Sequence, residues 1–188
     1  ATGDEVVPPD CEPAPGQLRD SHTDFLTAAV RGLGLESRSL GIAPDCPGEL
    51  RRRLVGGLGG DVLLVWGGVS AGELDLAEPV LAELGCRTLF DAVAVQPGKP
   101  LVAAVHEGGL VFGLPGNPAS VMVGFWLFVR PALRRLMGSR DAFWAGALRG
   151  ELVAPAPGAG PRDRFLPAEV GACEGRLMVR PWPPRGSH

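Results

Sequence analysis

The chain has 188 residues, 45% hydrophobic and 21% charged, with a net charge of −3 at neutral pH. This is ordinary globular composition, with length for one good core and a small second unit. The negative balance argues against nucleic acid as a partner, and no run reaches the roughly 18 apolar residues of a membrane span, so a cytoplasmic protein is expected.

The start, Ala1-Thr2-Gly3-Asp4-Glu5, has no signal-peptide character and is expected to be an internal point of a longer chain. Pro8 to Gly16 is a proline-heavy loop. Ser21 is placed to cap a helix running to about Leu33, with Phe25, Leu26, Ala29, Val30 and Leu33 on one face and Gly34 at its end. Glu36–Ile42 alternates as a strand does. Asp45-Cys46-Pro47 opens a second helix, proline in its first turn, that runs to about Leu58. Gly59-Gly60 then turns the chain into the apolar strand Val62–Trp66. Leu76–Leu84 reads as helix and Thr88–Val95 as strand. Leu101–His106 and Leu110–Leu114 flank Glu107-Gly108-Gly109, a hairpin signal. Asn117-Pro118 is an N-cap followed by proline, and opens a largely buried helix over Ala119–Met137. From about Phe143 the texture changes to short β-like runs, Ala147–Val153, Arg164–Val170 and Leu177–Val179, between Pro/Gly loops. Alternating helices and apolar strands predict an α/β domain with a mostly parallel sheet over 1–142, followed by a partial small β domain over 143–188.

Two glycine turns carry the chemistry. Gly67-Gly68-Val69-Ser70-Ala71-Gly72-Glu73-Leu74-Asp75 follows one apolar strand, and Gly113-Leu114-Pro115-Gly116-Asn117-Pro118 ends another. A glycine turn between strand and helix gathers bare backbone N–H groups at a positive helix end, a setting for an anion. Glu73 and Asp75 add carboxylates suited to a hard cation such as Mg²⁺. In an open α/β sheet, ligands sit beyond the carboxyl ends of the strands, where both turns fall.

Of the 18 basic residues, Lys99 alone is lysine, and it stands in Pro97-Gly98-Lys99-Pro100. Where arginine has otherwise replaced lysine, the compact ammonium that remains is a candidate site group, against the simpler reading of a surface lysine. Cys11, Cys46, Cys86 and Cys173 are far apart and read as reduced thiols, not a zinc site or a disulfide frame. Arg51-Arg52-Arg53 fans around a helix and reads as a solvated face. Phe25, Phe125 and Phe128 read as core, and His22 and His106 as structural.

Thr2-Gly3-Asp4-Glu5, Asp20-Ser21, Leu40-Gly41-Ile42 with Asp45, Gly67–Ser70 with Gly72–Asp75, Pro97–Pro100 and Gly113–Ser120 occur in order at fitting intervals. Each is weak alone, but the ordered set resembles the molybdopterin molybdotransferases, the MoeA proteins and the gephyrin E domain. The resemblance covers about Ala1–Gly138 as the molybdopterin-binding domain, which implies a three-layer α/β/α fold. It implies that Phe143–His188 begins the family's C-terminal β domain. The N-terminal domains, and the strand that runs into Thr2-Gly3-Asp4, are not in this sequence.

The resemblance implies Mg²⁺-dependent insertion of molybdate into adenylylated molybdopterin with release of AMP, by a protein that works as a homodimer. Carried over, the catalytic acids fall on Asp75, Asp45 and Glu5, with Asp75 and Glu5 toward the metal. Substrate binding falls on Gly67, Gly68, Val69, Ser70, Lys99, Pro115, Gly116, Asn117 and Pro118. Simpler roles stand beside these: helix caps for Asp45, Asp75 and Asn117, and a solvated turn acid for Glu5. The family often has lysines where this chain has Gln96 and Ala92, and Asn where it has His22. Two cations fewer weaken the field at an anion site, though glutamine still donates hydrogen bonds. Alternative functions are a molybdopterin adenylyltransferase-type domain and a non-catalytic molybdopterin-binding or scaffold module.

Overall fold

In the computed structural model the described residues are 1–67, 76–141, 143, 146–156, 158 and 160–182. The chain opens with a short parallel pair, β1 (Val6–Val7) and β2 (Leu18–Arg19). Helix α1 (His22–Arg31) follows, then α2 (Pro47–Leu58), β3 (Val62–Trp66) and α3 (Ala77–Glu83). Next come β4 (Arg87–Phe90), β5 (Val95–Gln96), β6 (Val102–His106) and β7 (Gly109–Leu114). One long helical stretch comprises α4 (Pro118–Gly124), a π-helical segment Phe125–Val129 and α5 (Arg130–Leu136).

β3 forms over the residues expected of it because every second side chain enters a different core. Leu63, Val65, Ala104 and Val111 pack on one sheet face with Leu50 and Leu54 of α2 and Val80 and Leu81 of α3. Val62, Leu64, Ala103, Phe112 and Leu114 pack on the other, against Leu26 and Val30 of α1 and Val121, Phe125, Val129 and Leu133 of the long helix. A sheet apolar on both faces needs helices on both. The fold is therefore α/β in three layers. Phe25 and Phe125 meet edge to face with ring centroids 5.9 Å apart, inside this second core.

The four-stranded sheet runs β3-β7-β6-β4. β3 and β7 are parallel, Trp66 opposite Leu114, whereas β6 runs antiparallel to both β7 and β4. The pairing is thus mixed where a mostly parallel sheet was expected. The β6–β7 connection is a tight turn at Glu107 and Gly108, φ +45° and +92°, and so short a link joins only antiparallel neighbours.

Three local expectations are corrected. Glu36–Ile42 forms no strand; the parallel bridge to Thr2 is made by Ala43, the residue after it. Ser21 makes no side-chain cap; Asp20 caps α1, its Oδ1 accepting from the amides of His22 (3.1 Å) and Thr23 (3.0 Å). Thr88–Val95 divides into β4 and β5. The long helix holds its expected course, and it widens to π just ahead of Pro131. Proline has no amide for the carbonyl four residues back, and its ring would crowd that oxygen.

Beyond α5 lie β8 (Glu151–Leu152), β9 (Asp163–Arg164), β10 (Ala168–Cys173) and β11 (Arg176–Pro181). β10 and β11 form a hairpin and β8 adds to β11 in parallel. All six residues of β10 are exposed. β9 leaves this sheet and pairs in parallel with β5, Arg164 opposite Gln96.

Candidate functional site

β3 and β7 end side by side, and three stretches of backbone meet beyond them. Gly67 turns away from β3 with φ +82°, and a Cβ there would stand 2.2 Å from the Thr2 carbonyl oxygen. No other residue fits. Thr2 is buried and its amide donates to the Trp66 carbonyl at 2.9 Å. From the β7 side, a Cβ on Gly116 would lie 3.8 Å from the Gly67 Cα, so the two glycine turns are in contact.

The acids arrive on the Thr2 side. Gly3 donates its amide to Ala43 at 3.1 Å, which draws the first residues onto the loop before α2. There Asp4 and Asp45 bond reciprocally. The Asp45 amide donates to Asp4 Oδ1 at 3.0 Å, and the Asp4 amide donates to Asp45 Oδ2 at 3.3 Å. Asp45 therefore does not cap α2; Cys46 holds that position, with no side-chain cap bond. Gly3 has φ +127°, and the Glu5 carboxylate folds over its bare Cα: a Cβ there would lie 2.5 Å from Glu5 Oε2. Glu5 and Asp45 are both exposed, on adjoining loops.

The Pro97–Pro100 turn approaches from the other flank. Gly98, φ +106°, lies against the first turn of α4, with a Cβ there 3.6 Å from the Ser120 carbonyl oxygen. The Lys99 carbonyl accepts from Val93 at 2.9 Å and Leu101 at 3.0 Å, which fixes the turn while the side chain stays exposed. Asn117 Oδ1 accepts from the Ala119 and Ser120 amides at 3.0 and 3.3 Å, so Asn117 is a true cap and those two donors are already engaged. Pro115 is buried, Gly116 and Pro118 exposed.

Glu5, Asp45, Gly67, the Pro115–Pro118 turn and the Lys99 turn thus share the carboxyl edge of β3 and β7. Asp75, with Gly68, Val69, Ser70 and Glu73, lies outside the described residues. Among the described residues no three Asp, Glu, His or Cys side chains gather as a metal cluster. Asp4 and Arg164 escaped the sequence reading as site neighbours. The acid beside Glu5 was visible as a motif member, but its pairing spans 41 residues, and nothing local marks the Arg164–Gln96 register.

Helices on both faces of a sheet, with glycine turns meeting at its carboxyl edge, define an α/β/α domain whose candidate site is that edge. The family described as probable molybdopterin binding domain matches residues 1–135, and the chain belongs to it. Over 142 residues it is 39% identical to the molybdopterin molybdenumtransferase of Nostoc sp., a match taking in 73% of this chain and 33% of that protein. The molybdopterin molybdenumtransferase of Staphylococcus epidermidis is 28% identical over 182 residues, 96% of this chain and 43% of that one. A solved molybdopterin biosynthesis MoeA protein from Pyrococcus horikoshii superposes with a TM-score of 0.77 at 34% identity, covering 97% of this chain and 44% of that one. The chain thus spans less than half the length of these relatives.

Proposed function

We propose that this chain is the molybdopterin-binding core of a molybdopterin molybdotransferase acting in molybdenum cofactor biosynthesis. The full reaction is insertion of molybdate into adenylylated molybdopterin with release of AMP, carried out by the longer protein as a cytoplasmic homodimer. The observation that supports it most is the meeting of Thr2, Gly67 and Gly116 at the strand ends, with Glu5 and Asp45 on one flank and the Lys99 turn on the other.

The donor set suits Mg²⁺, which takes one or two carboxylates and keeps water or substrate phosphate oxygens for the rest. Glu5, folded over Gly3, supplies one such carboxylate, and Asp75 is assigned as the second. Bound there, Mg²⁺ would neutralise charge on the substrate diphosphate. Gly67, Gly68, Val69 and Ser70 are assigned to the substrate phosphate, as a glycine-rich stretch offers backbone amides to an anion. Lys99 offers a mobile ammonium to the same anion. Asp45, exposed and bonded reciprocally to Asp4, is assigned as a further catalytic acid. Pro115 and Pro118 stiffen the floor under the ligand.

The test is cofactor formation in the longer protein, read by reconstitution of a molybdenum-dependent enzyme. Asp75→Ala and Asp45→Ala are each expected to abolish activity while lowering the unfolding free energy by no more than a surface cap change does, about 0.5–2 kcal/mol. Full activity in either variant refutes that residue's role.

A further inference from the structure

Asp4 has no role in the reading above, yet it makes the closest contact to Asp45. Thr2 bridges Ala43 in parallel, and the Gly3 amide donates to the Ala43 carbonyl at 3.1 Å. Thr2 and Ala43 are both buried, so this pairing has a fixed base. A parallel ladder continued from there would give the Asp45 amide a backbone carbonyl. Gly3, at φ +127°, turns the chain off that course. The Asp45 amide then donates to a side chain instead, Asp4 Oδ1 at 3.0 Å. In return the Asp4 amide donates to Asp45 Oδ2 at 3.3 Å.

An exposed aspartate on a loop is otherwise free to turn about its side-chain torsions. Here the Asp4 side chain holds the Asp45 backbone, and the Asp4 backbone holds one oxygen of the Asp45 carboxylate. Among the described residues neither acid is in an ion pair, so amides and not cations set their directions. Asp45 caps no helix either, since Cys46 holds that position in α2. Two like charges on adjoining loops repel, and the fold gains nothing from the second charge that a neutral acceptor would not give. The feature of Asp4 that the geometry uses is an acceptor oxygen at one reach from its backbone.

We infer that Asp4 is the positioning residue for Asp45: its carboxylate oxygen fixes the Asp45 backbone and, through it, the direction of the Asp45 carboxylate. The inference rests on the proposed role of Asp45. An amide oxygen at the same reach serves equally well. A carboxylate one methylene longer does not, although it keeps the charge.

The test uses the longer protein. Steady-state kinetics of cofactor formation are measured, and the Asp45 amide proton is followed by NMR after labelling with isotopic aspartate. Asp4→Asn keeps the acceptor oxygen and is expected to keep kcat and the Asp45 resonance close to the parent. Asp4→Ala removes the oxygen and Asp4→Glu displaces it. In both, the Asp45 resonance is expected to move upfield as its bond is lost. In both, kcat is expected to fall on the order of 100-fold with KM unchanged, the effect of misplacing a reacting group by about 1 Å. Urea unfolding should be the same for all three variants, because the contact is at the surface. Parental kcat in Asp4→Ala, beside an inactive Asp45→Ala, overturns this inference and leaves the role of Asp45 standing. Equal losses in Asp4→Asn and Asp4→Ala also overturn it, since the charge would then be what matters. So does an unmoved Asp45 resonance in Asp4→Ala, or a loss carried by KM alone. Full activity in Asp45→Ala overturns the catalytic reading and this inference together.

Discussion

Asp20 and Ser21 show how one position decides a helix start. Both are favoured capping residues and both precede α1, yet Asp20 alone turns back to accept the His22 and Thr23 amides and the Thr23 hydroxyl. Its own amide donates to the Val7 carbonyl at 2.8 Å, which aims the carboxylate at the helix. Asp20→Ala is expected to cost about 0.5–2 kcal/mol and Ser21→Ala close to nothing, measured by urea unfolding. Equal losses would contradict the assignment. The same carboxylate carries a pH dependence. Burial pushes Asp20 up, but the Thr23 hydroxyl and amide and the His22 amide together hold it below its ordinary value. Burial pushes His22 down, opposed by Asp20. Both groups bind protons less readily folded than unfolded, so stability rises with pH in both windows. The His22 contribution begins to be lost as pH falls below about 6.5, and that of Asp20 below about 3.9. Unfolding midpoints should fall from pH 7 to pH 5 and further toward pH 3. His22→Asn should flatten the upper part and Asp20→Asn the lower; profiles identical to the parent would rule out these groups.

At the scale of elements, the junction of β3 and β7 separates a glycine that the backbone requires from one that it does not. Gly67 has a left-handed φ and the Thr2 carbonyl in the space of its missing side chain, whereas Gly116 has room for a methyl group at 3.8 Å. Gly67→Ala is expected to cost more than about 2 kcal/mol, since left-handed backbone alone costs roughly 1–2 kcal/mol and the overlap adds to it. Gly116→Ala should leave the unfolding free energy within about 0.5 kcal/mol of the parent, and in the longer protein lower activity through the proposed ligand contact. Comparable destabilisation by both would mean that the two turns are equally tight. The strand expected over 36–42 failed for an element-level reason: alternation gives a segment the capacity to pair but supplies no neighbour. The hairpin β6–β7 formed because its partner is two residues away along the chain.

For the molecule as a whole, the second β unit does more than trail from the α/β domain. β9 returns to pair with β5, setting Arg164 beside Gln96, one residue ahead of the Pro97–Pro100 turn. Arg164 is therefore the ladder partner of a position where the resembled family often carries lysine. Gln96→Lys in the longer protein is expected to tighten molybdate binding by adding a cation beside the proposed anion site. It is also expected to cost about 0.2–1 kcal/mol of stability, because like charges then sit side by side in the ladder. Molybdate titration by calorimetry reads the first effect and urea unfolding the second. Equal or weaker binding by the variant means that Gln96 faces away from the oxoanion.

The sequence by itself determined what depends on near neighbours. β3, the hairpin turn, the Asn117-Pro118 helix start and the two long amphipathic helices follow from periodicity and turn chemistry within a few residues. The motifs marked the loops proposed to carry chemistry, because glycines, prolines and acids at fixed spacing are read without coordinates. Tertiary structure decided what depends on distant partners. It chose Asp20 over Ser21 through a bond to β1, turned Asp45 from a cap into the partner of Asp4, made the sheet mixed, and left 36–42 unpaired. It also brought Thr2, Gly67 and Gly116, from three separate stretches of chain, into one backbone contact. The physical reason is common to all of these: a hydrogen bond or close approach between residues tens of positions apart is selected by packing of the two cores, and no local pattern encodes it.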